Sequence, residues 1–459
     1  ITKIYNHLKL RRGVPFCYII FYIFMKKKRV FLILSALILV LITFNFGEIR
    51  KYLRENLSSE SKVYIKNLFF GEEYMERIQN LSFMNYNQKT LPRTQFEMID
   101  LKKIKLDTKS TDGIHYYYDN KTKKFFIDID KINKNIIIVG SYGDIKIIQD
   151  FKKFEESEIK NNLSEFNIYD VLDVAYVNNK IFISSTTSRN NKTDCYYFEL
   201  LKSEVNMEKL KFEKIYQTKN CMESQLGGRI HEYIHKNMEG ILLTLGASAD
   251  DKDFAQDDNS PFGKILFLNL NGDKVEIFSK GHRNPQGITI NNNIILSTEH
   301  GPYGGDEINK IEYNKNYGWP IASYGEPYSF GGNYGAVYSH GKVIKVRDDF
   351  LFKKSHSENN FVEPIFSFIP SIGISEIIKV PNDFSKYWRM NNYLVTSLNG
   401  RSIYRIEIDE QFNKILFVEK IYIGERIRDI KYSKKLNSFI LALEDSGSLG
   451  ILSSPQSKD

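Results

Sequence analysis

Four arginines stand in short polar segments: Arg229 in GGR (227–229), Arg283 in GHRNPQG (281–287), and Arg426 and Arg428 in GERIRD (424–429). A guanidinium is a planar fork of donors that pairs with carboxylate or phosphate oxygens, so several converging guanidiniums describe a site for an anionic ligand. Arg426 and Arg428 are two residues apart, which on a strand puts both on one face. Asp250, Asp251, Asp253, Asp257 and Asp258 offer oxygens to a hard cation, yet an acidic surface loop is ordinarily just solvated.

These segments recur at fixed places in a strand-rich chain. From about residue 115 an apolar strand ends in a small or polar loop and a second apolar strand follows, at 135–148, 180–200, 240–270, 293–312, 392–408 and 438–452. Successive starts lie 45, 60, 53, 99 and 46 residues apart, so one interval holds a long insertion. Units of this length with about four strands each describe an all-β fold, a β-propeller, and six units make six blades. A β-sandwich leaves six equivalent loops unexplained. In a four-stranded blade, the loop entering the innermost strand and the loop between the second and third strands emerge on one face. The arginine segments, 170–173 and 372–375 fall in the first set; Glu299-His300-Gly301-Pro302 and Leu398-Asn399-Gly400-Arg401 fall in the second. Turns of the opposite face are bland (VNNK, HKNME, NNN). Polar chemistry thus gathers at one mouth of the central channel.

Charge is placed unevenly. The 459 residues carry 64 Lys+Arg and 56 Asp+Glu; residues 1–29 hold eight cations and no acid, leaving 56 of each sign in 30–459. A neutral body argues against a nucleic-acid-binding surface. A hydrophobic content of 42% supplies a sizeable core. Lys26-Lys27-Lys28-Arg29 precede an apolar run at 30–46 with no small-x-small cleavage site after it. This reads as an uncleaved transmembrane signal anchor, single-pass in the inner membrane, with the basic cluster cytoplasmic and the propeller periplasmic. Met25, beside that cluster, is read as the translation start. The chain therefore divides into a leader and anchor (1–46), a short helical stalk (47–114) and the propeller (115–459). Cys195 and Cys221 flank a predicted hairpin with strands near 195–201 and 210–216. A disulfide between them suits an oxidising compartment, two free buried thiols being the alternative.

The order and wording of GGRI, AQD, GKI, GHRNPQGI, TEHGPYGGDEIN, NYGWP and GERIRD resemble the glucose/sorbosone dehydrogenase family. These are pyrroloquinoline-quinone-dependent (PQQ) aldose sugar dehydrogenases built on a six-bladed propeller. The resemblance implies an oxidoreductase that passes hydride from C1 of a sugar or similar polyol to a quinone polarised by calcium. It implies calcium on the backbone carbonyls of Gly301 and Pro302, with Asp306 supporting that shell. It also implies quinone contacts from Arg229, Arg283 and Asn284, with Arg426 and Arg428 on the cofactor carboxylates. Three positions depart from the family. Its general-base histidine corresponds to Gln225, an amide that takes no proton at neutral pH; its quinone-contacting lysine corresponds to Asn399, and a glutamine to Ile168. His231, two residues beyond Arg229, is a weaker candidate for a replacement base or else a packed channel histidine, and His282 and His300 are read as structural or as supports behind the groups that touch the site. The Tyr- and Gly-rich insertion after Pro320 suits sugar stacking or simple packing. These departures keep open a non-catalytic propeller that binds a sugar or an envelope partner at the same mouth. No pattern names the electron acceptor.

Overall fold

The computed structural model describes residues 99–107, 123–188, 195–206, 208–222, 227–247, 254–302, 304–325, 336–339, 342–345, 356–385, 388 and 391–454. All lie within the compact unit Glu76–Asp459. The expected anchor and the stalk as far as residue 98 fall outside them. Among the described residues no helix is long and apolar enough to cross a membrane.

The first strand is β1 (Asp100–Lys105). Blade 1 then comprises β2 (Phe125–Ile129), β3 (Ile136–Gly140), β4 (Ile145–Ile148) and β5 (Glu156–Glu158). Blade 2 comprises β6 (Ile168–Val177), β7 (Lys180–Ser188), β8 (Tyr196–Glu204) and β9 (Glu213–Gln217). Blade 3 comprises β10 (Gly227–His235), β11 (Met238–Leu245), β12 (Lys264–Asn269) and β13 (Val275–Lys280). Blade 4 begins with β14 (Pro285–Asn291), β15 (Ile294–Glu299) and β16 (Asp306–Ile311). An insertion follows, carrying β17 (Lys315–Asn316), which adds in parallel to β13, and a separate ribbon of β18 (Ala336–Ser339) and β19 (Lys342–Lys345). β20 (Phe366–Phe368) then completes the blade. Blade 5 comprises β21 (Ile374–Lys379), β22 (Asn392–Ser397), β23 (Ser402–Ile408) and β24 (Ile415–Tyr422). Blade 6 comprises β25 (Ile427–Ser433), β26 (Ser438–Leu443) and β27 (Ser448–Ser453), with β1 outermost.

The all-β, six-bladed expectation therefore holds. The six repeats correspond to β3, β7, β11, β15, β22 and β26, the second strand of every blade, and the long interval is the insertion between β16 and β20. One boundary moves. The sequence reading assigns 100–105 to the helical stalk, whereas the structure pairs it antiparallel with β27, Asp100 opposite Ser453 and Lys105 opposite Ser448. A closed ring needs a fourth strand in its last blade, and this one supplies it.

Blades are packed on both faces, which is why their strands read as unbroken apolar runs. In β11, Ile241 and Leu243 pack toward blade 2 while Leu242, between them, packs toward blade 4. Six apolar clusters fill the six junctions between neighbouring blades, the one between blades 6 and 1 included. The far-face turns have a conformational explanation. Asn178-Asn179, Lys236-Asn237 and Asn292-Asn293 each join two strands with both residues at positive φ. That is the primed hairpin geometry in which asparagine is favoured. Cys195 and Cys221 form a disulfide, Cα–Cα 5.2 Å, beside the β8–β9 pair.

Candidate functional site

The innermost strands β2, β6, β10, β14, β21 and β25 present an edge to the channel, so their backbone groups need partners outside the ladder. Side chains supply them at all six junctions. Asp128 accepts from the Tyr176 amide (2.6 Å), Asp173 from Ile230 (2.8 Å), Glu376 from Ile288 (3.0 Å) and Asp429 from Ile127 (3.0 Å). Thr244 donates to the Pro285 carbonyl (3.1 Å) and Ser375 to that of Ile427 (2.6 Å).

Three of those carboxylates surround Arg229. Its Nη1 lies 3.3 Å from Asp173, 3.5 Å from Glu376 and 3.8 Å from Asp429, contributed by three different blades. The guanidinium rests on Phe126, 4.9 Å from the ring centre, and is 1% exposed. Arg229 is thus a buried tie across the channel, not an open anion contact, which corrects its assignment as a cofactor ligand. Lys431 joins the cluster 3.4 Å from Asp429. Carboxylates outnumber cations here. Burial raises Asp173 to about 7 against the pull of Arg229, and burial likewise raises Glu376 and Asp128. His231 lies two residues further along β10, beyond the Arg229 layer. Its desolvation, with Lys431 and Lys131 nearby, pushes its pKa down to about 4. It is a neutral channel histidine, further from the mouth than Arg229.

The rim has the opposite balance. Glu444, fully buried, accepts from Arg426 Nε (3.0 Å) and Arg428 Nε (2.5 Å). Asp445 accepts from the Arg426 amide (2.9 Å) and pairs with Arg401 Nη1 (2.9 Å). Arg428 Nη1 reaches across to Gln286 Oε1 on blade 4 (3.4 Å). Burial works against ionisation of Glu444, but Arg428 and Arg426 prevail and hold it at about 2.

On blade 4, Arg283 Nη1 donates to the His300 carbonyl (2.6 Å) and its guanidinium lies over Trp319 (5.4 Å). Asn284 Oδ1 accepts from the Gly227 amide (3.0 Å) and from Gln286 (2.7 Å). Glu299 holds this segment. One carboxylate oxygen accepts from the Arg283 amide, and the other meets His282 Nδ1 at 3.1 Å, with His282 Nε2 on Ser279 (2.8 Å).

The Gly301-Pro302 turn is braced by Asp306, which takes five hydrogen bonds. His300 Nδ1 (2.7 Å), the Gly301 amide (3.0 Å) and Ser371 (2.9 Å) meet one oxygen; the Ile372 and Ile374 amides (both 2.9 Å) meet the other. Burial alone would raise Asp306, but His300 and these donors outweigh it and hold the carboxyl below its ordinary value. The turn has no room for side chains: a Cβ on Gly301 would stand 2.2 Å from the Gly305 carbonyl oxygen. With its oxygens so occupied, Asp306 acts on the turn rather than as a free ligand.

His282 and His300 each pair with a buried carboxylate, Glu299 and Asp306. Asn399 is half-buried in the β22–β23 loop against Gly373. Ile168 opens β6. Gln225, Asp250, Asp251 and Asp253 lie outside the described residues, Asp258 pairs with Lys280 (2.8 Å), and no cluster of three or more His, Cys, Asp or Glu among the described residues forms a metal cage. Sequence reasoning missed Glu444 and Asp445, which follow β26 on the same face as the arginines; that position was the available signal.

Residues 170–452 match the family model described as Glucose / Sorbosone dehydrogenase. The quinoprotein glucose dehydrogenase B of Acinetobacter calcoaceticus is 39% identical over 241 residues, 42% of this chain and 50% of that protein. The aldose sugar dehydrogenase YliI of Escherichia coli K12 is 28% identical over 250 residues, 49% of this chain and 59% of that one. The chain thus spans about half the length of the curated relatives it matches. The apo crystal structure of the soluble Escherichia coli aldose sugar dehydrogenase superposes with a TM-score of 0.59 at 18% identity, covering 78% of this chain and 99% of that one. The PQQ-bound aldose sugar dehydrogenase of Streptomyces coelicolor gives 0.52 at 16%, covering 77% and 98%. At these identities the structures speak for the fold.

Proposed function

Because the chain belongs to the glucose/sorbosone dehydrogenase family, we propose that its propeller mouth takes an aldose-class sugar beside calcium-held PQQ and oxidises the sugar at C1. The observation that carries this reading is the gathering, on one mouth, of the blade 6 guanidiniums, the Arg283-Asn284 segment and the Asp306-braced Gly301-Pro302 turn. The donor set fits the groups concerned. Guanidinium and amide donors suit a quinone's oxygens and carboxylates. A tight glycine–proline turn carries carbonyl oxygens of the kind a hard cation takes. Gly301 and Pro302 would hold the calcium, Arg283 and Asn284 the quinone oxygens, and Arg426 and Arg428 its carboxylates. Bound there, the quinone would supply the two-electron acceptor.

The chain's own part is placement and proton handling. The His300 carbonyl and Trp319 fix the Arg283 side chain, and Glu299 fixes its backbone. By the family resemblance Gln225 takes the sequence position of the family's base, and an amide accepts no proton at neutral pH. That single position favours a second reading, a non-catalytic propeller that binds a sugar or an envelope partner. The Cys195–Cys221 disulfide supports an export-side location, with the apolar run at 30–46 as membrane anchor.

Dye-linked oxidation of several aldoses, with quinone and calcium supplied, separates the two. Gln225→His should exceed wild type by about 10²–10⁴, and Arg283→Ala should remove that gain. Equal turnover with and without the histidine would sink the assignment of the missing base. No turnover in any form, with no quinone uptake by calorimetry, would leave the binder.

A further inference from the structure

The rim arginines are already paired, and the partner is unusual in its placement. Glu444 is 1% exposed, lies just after the second strand of blade 6, and touches the Nε of both Arg426 and Arg428. Its own amide also donates to the Arg426 carbonyl at 2.9 Å, so its backbone position is fixed by the sheet edge. The neighbouring Asp445 takes Arg401 and the Arg426 amide. Two guanidiniums therefore share one fully buried carboxylate at contact distance. A ligand carboxylate arriving at these guanidiniums would meet that buried negative charge a short way behind them, and like charges repel.

We propose that Glu444 is an internal counter-anion that sets the charge of this mouth, cutting its affinity for carboxylate-bearing ligands and favouring neutral ones such as sugars. This rests on reading the mouth as the place of an anionic cofactor, and the test separates the two ideas. The glutamate does not touch the ligand: it acts through Arg426 and Arg428 and is a positioning and charge-setting residue.

The experiment is calorimetric titration of the full chain, with calcium present, by PQQ and separately by trimesate, a tricarboxylate with no redox chemistry. Wild type is compared with Glu444→Gln and with Glu444→Ser, a second neutral variant should the first fail to fold. Thermal unfolding identifies the folded proteins. Removing the charge should tighten both anions by at least about tenfold. Glu444→Asp, which keeps the charge, should stay at the wild-type level. Arg426→Gln added to Glu444→Gln should abolish the gain, tying it to the guanidinium and not to a loosened fold. Unchanged binding in the neutral variants would overturn the proposal, and so would weaker binding, which makes Glu444 an orienting partner alone. A gain for trimesate with no PQQ binding by any variant would support the charge assignment and defeat the cofactor reading.

Discussion

Two buried ion clusters meet along the propeller axis, where Arg229 Nη2 donates to the Arg428 carbonyl at 2.7 Å. In the channel cluster, one guanidinium faces three carboxylates; in the rim cluster, one carboxylate faces two guanidiniums. The pairing chemistry is the same and the surplus is opposite. Accordingly Asp173 holds its proton up to about 7 while Glu444 stays ionised down to about 2. An arginine is therefore a ligand contact only when its neighbours leave it something to bind, and the count of partners decides that, not the presence of the arginine.

Removing Arg229 should break the comparison most severely. Arg229→Met leaves Asp173, Glu376 and Asp429 without their shared partner, and breaking a buried pair from one side costs about 3–5 kcal/mol. Denaturant unfolding at pH 7 measures it. The loss should shrink at lower pH, as the stranded carboxyls take up protons; a pH-independent loss would mean that packing on Phe126, not charge, is what Arg229 provides.

A smaller effect comes from a position outside both clusters. Replacing Cys195 and Cys221 with serine removes a cross-link of sequence separation 26, worth about 2–4 kcal/mol. Thermal unfolding should register it while anion titration of the mouth stays at the wild-type level. A change in ligand affinity would mean that the cross-link, although outside both ion clusters, holds the mouth loops in place.

The finest distinction is in the pH dependence of stability, where the clusters should have opposite signs. Glu444 ionises at its ordinary 4.5 in the unfolded chain and at about 2 in the fold. Its contribution is complete above 4.5 and disappears as pH falls toward 2. Asp173 moves from 3.8 to about 7, so the fold keeps a proton that the unfolded chain has released, and stability declines as pH rises across that window. Glu444→Gln should flatten the acid limb, and Asp173→Asn should remove part of the decline between about pH 4 and 7. Unfolding midpoints against pH check both; slopes of the same sign in the two variants would refute the opposite surpluses.

Much of this architecture was legible in the sequence. Six repeats located the second strand of each blade, because a strand buried on both faces leaves a continuous apolar signature. The far-face asparagines marked tight turns, and the polar loops marked the other mouth. β1 was not legible. Its sequence, DLKKIK, has only weak alternation, and its partner β27 lies at the other end of the described chain, a relation no local pattern carries. Arg229 was placed on the correct face but at the wrong depth, since sequence gives the side of a strand and not the tier of a channel. Glu444 was passed over because an acidic residue beside a glycine turn looks like any solvated loop.

The pairing of β1 with β27 has a consequence for how the molecule comes into being. A chain is made from its lower-numbered residues onward, so β1 emerges before the blade that will receive it. Until β27 arrives, β1 can find no place in that sheet, and its backbone groups stay available to any passing edge, including that of another copy. The clasp therefore cannot form until the last strand of the ring is present. Circular permutation offers a way around it: linking residue 454 to residue 99 and cutting at the Asn292-Asn293 turn would deliver β27 and β1 from the ribosome as consecutive strands. The same ring would then close with a local hairpin at the clasp, moving the late, long-range step to blade 4.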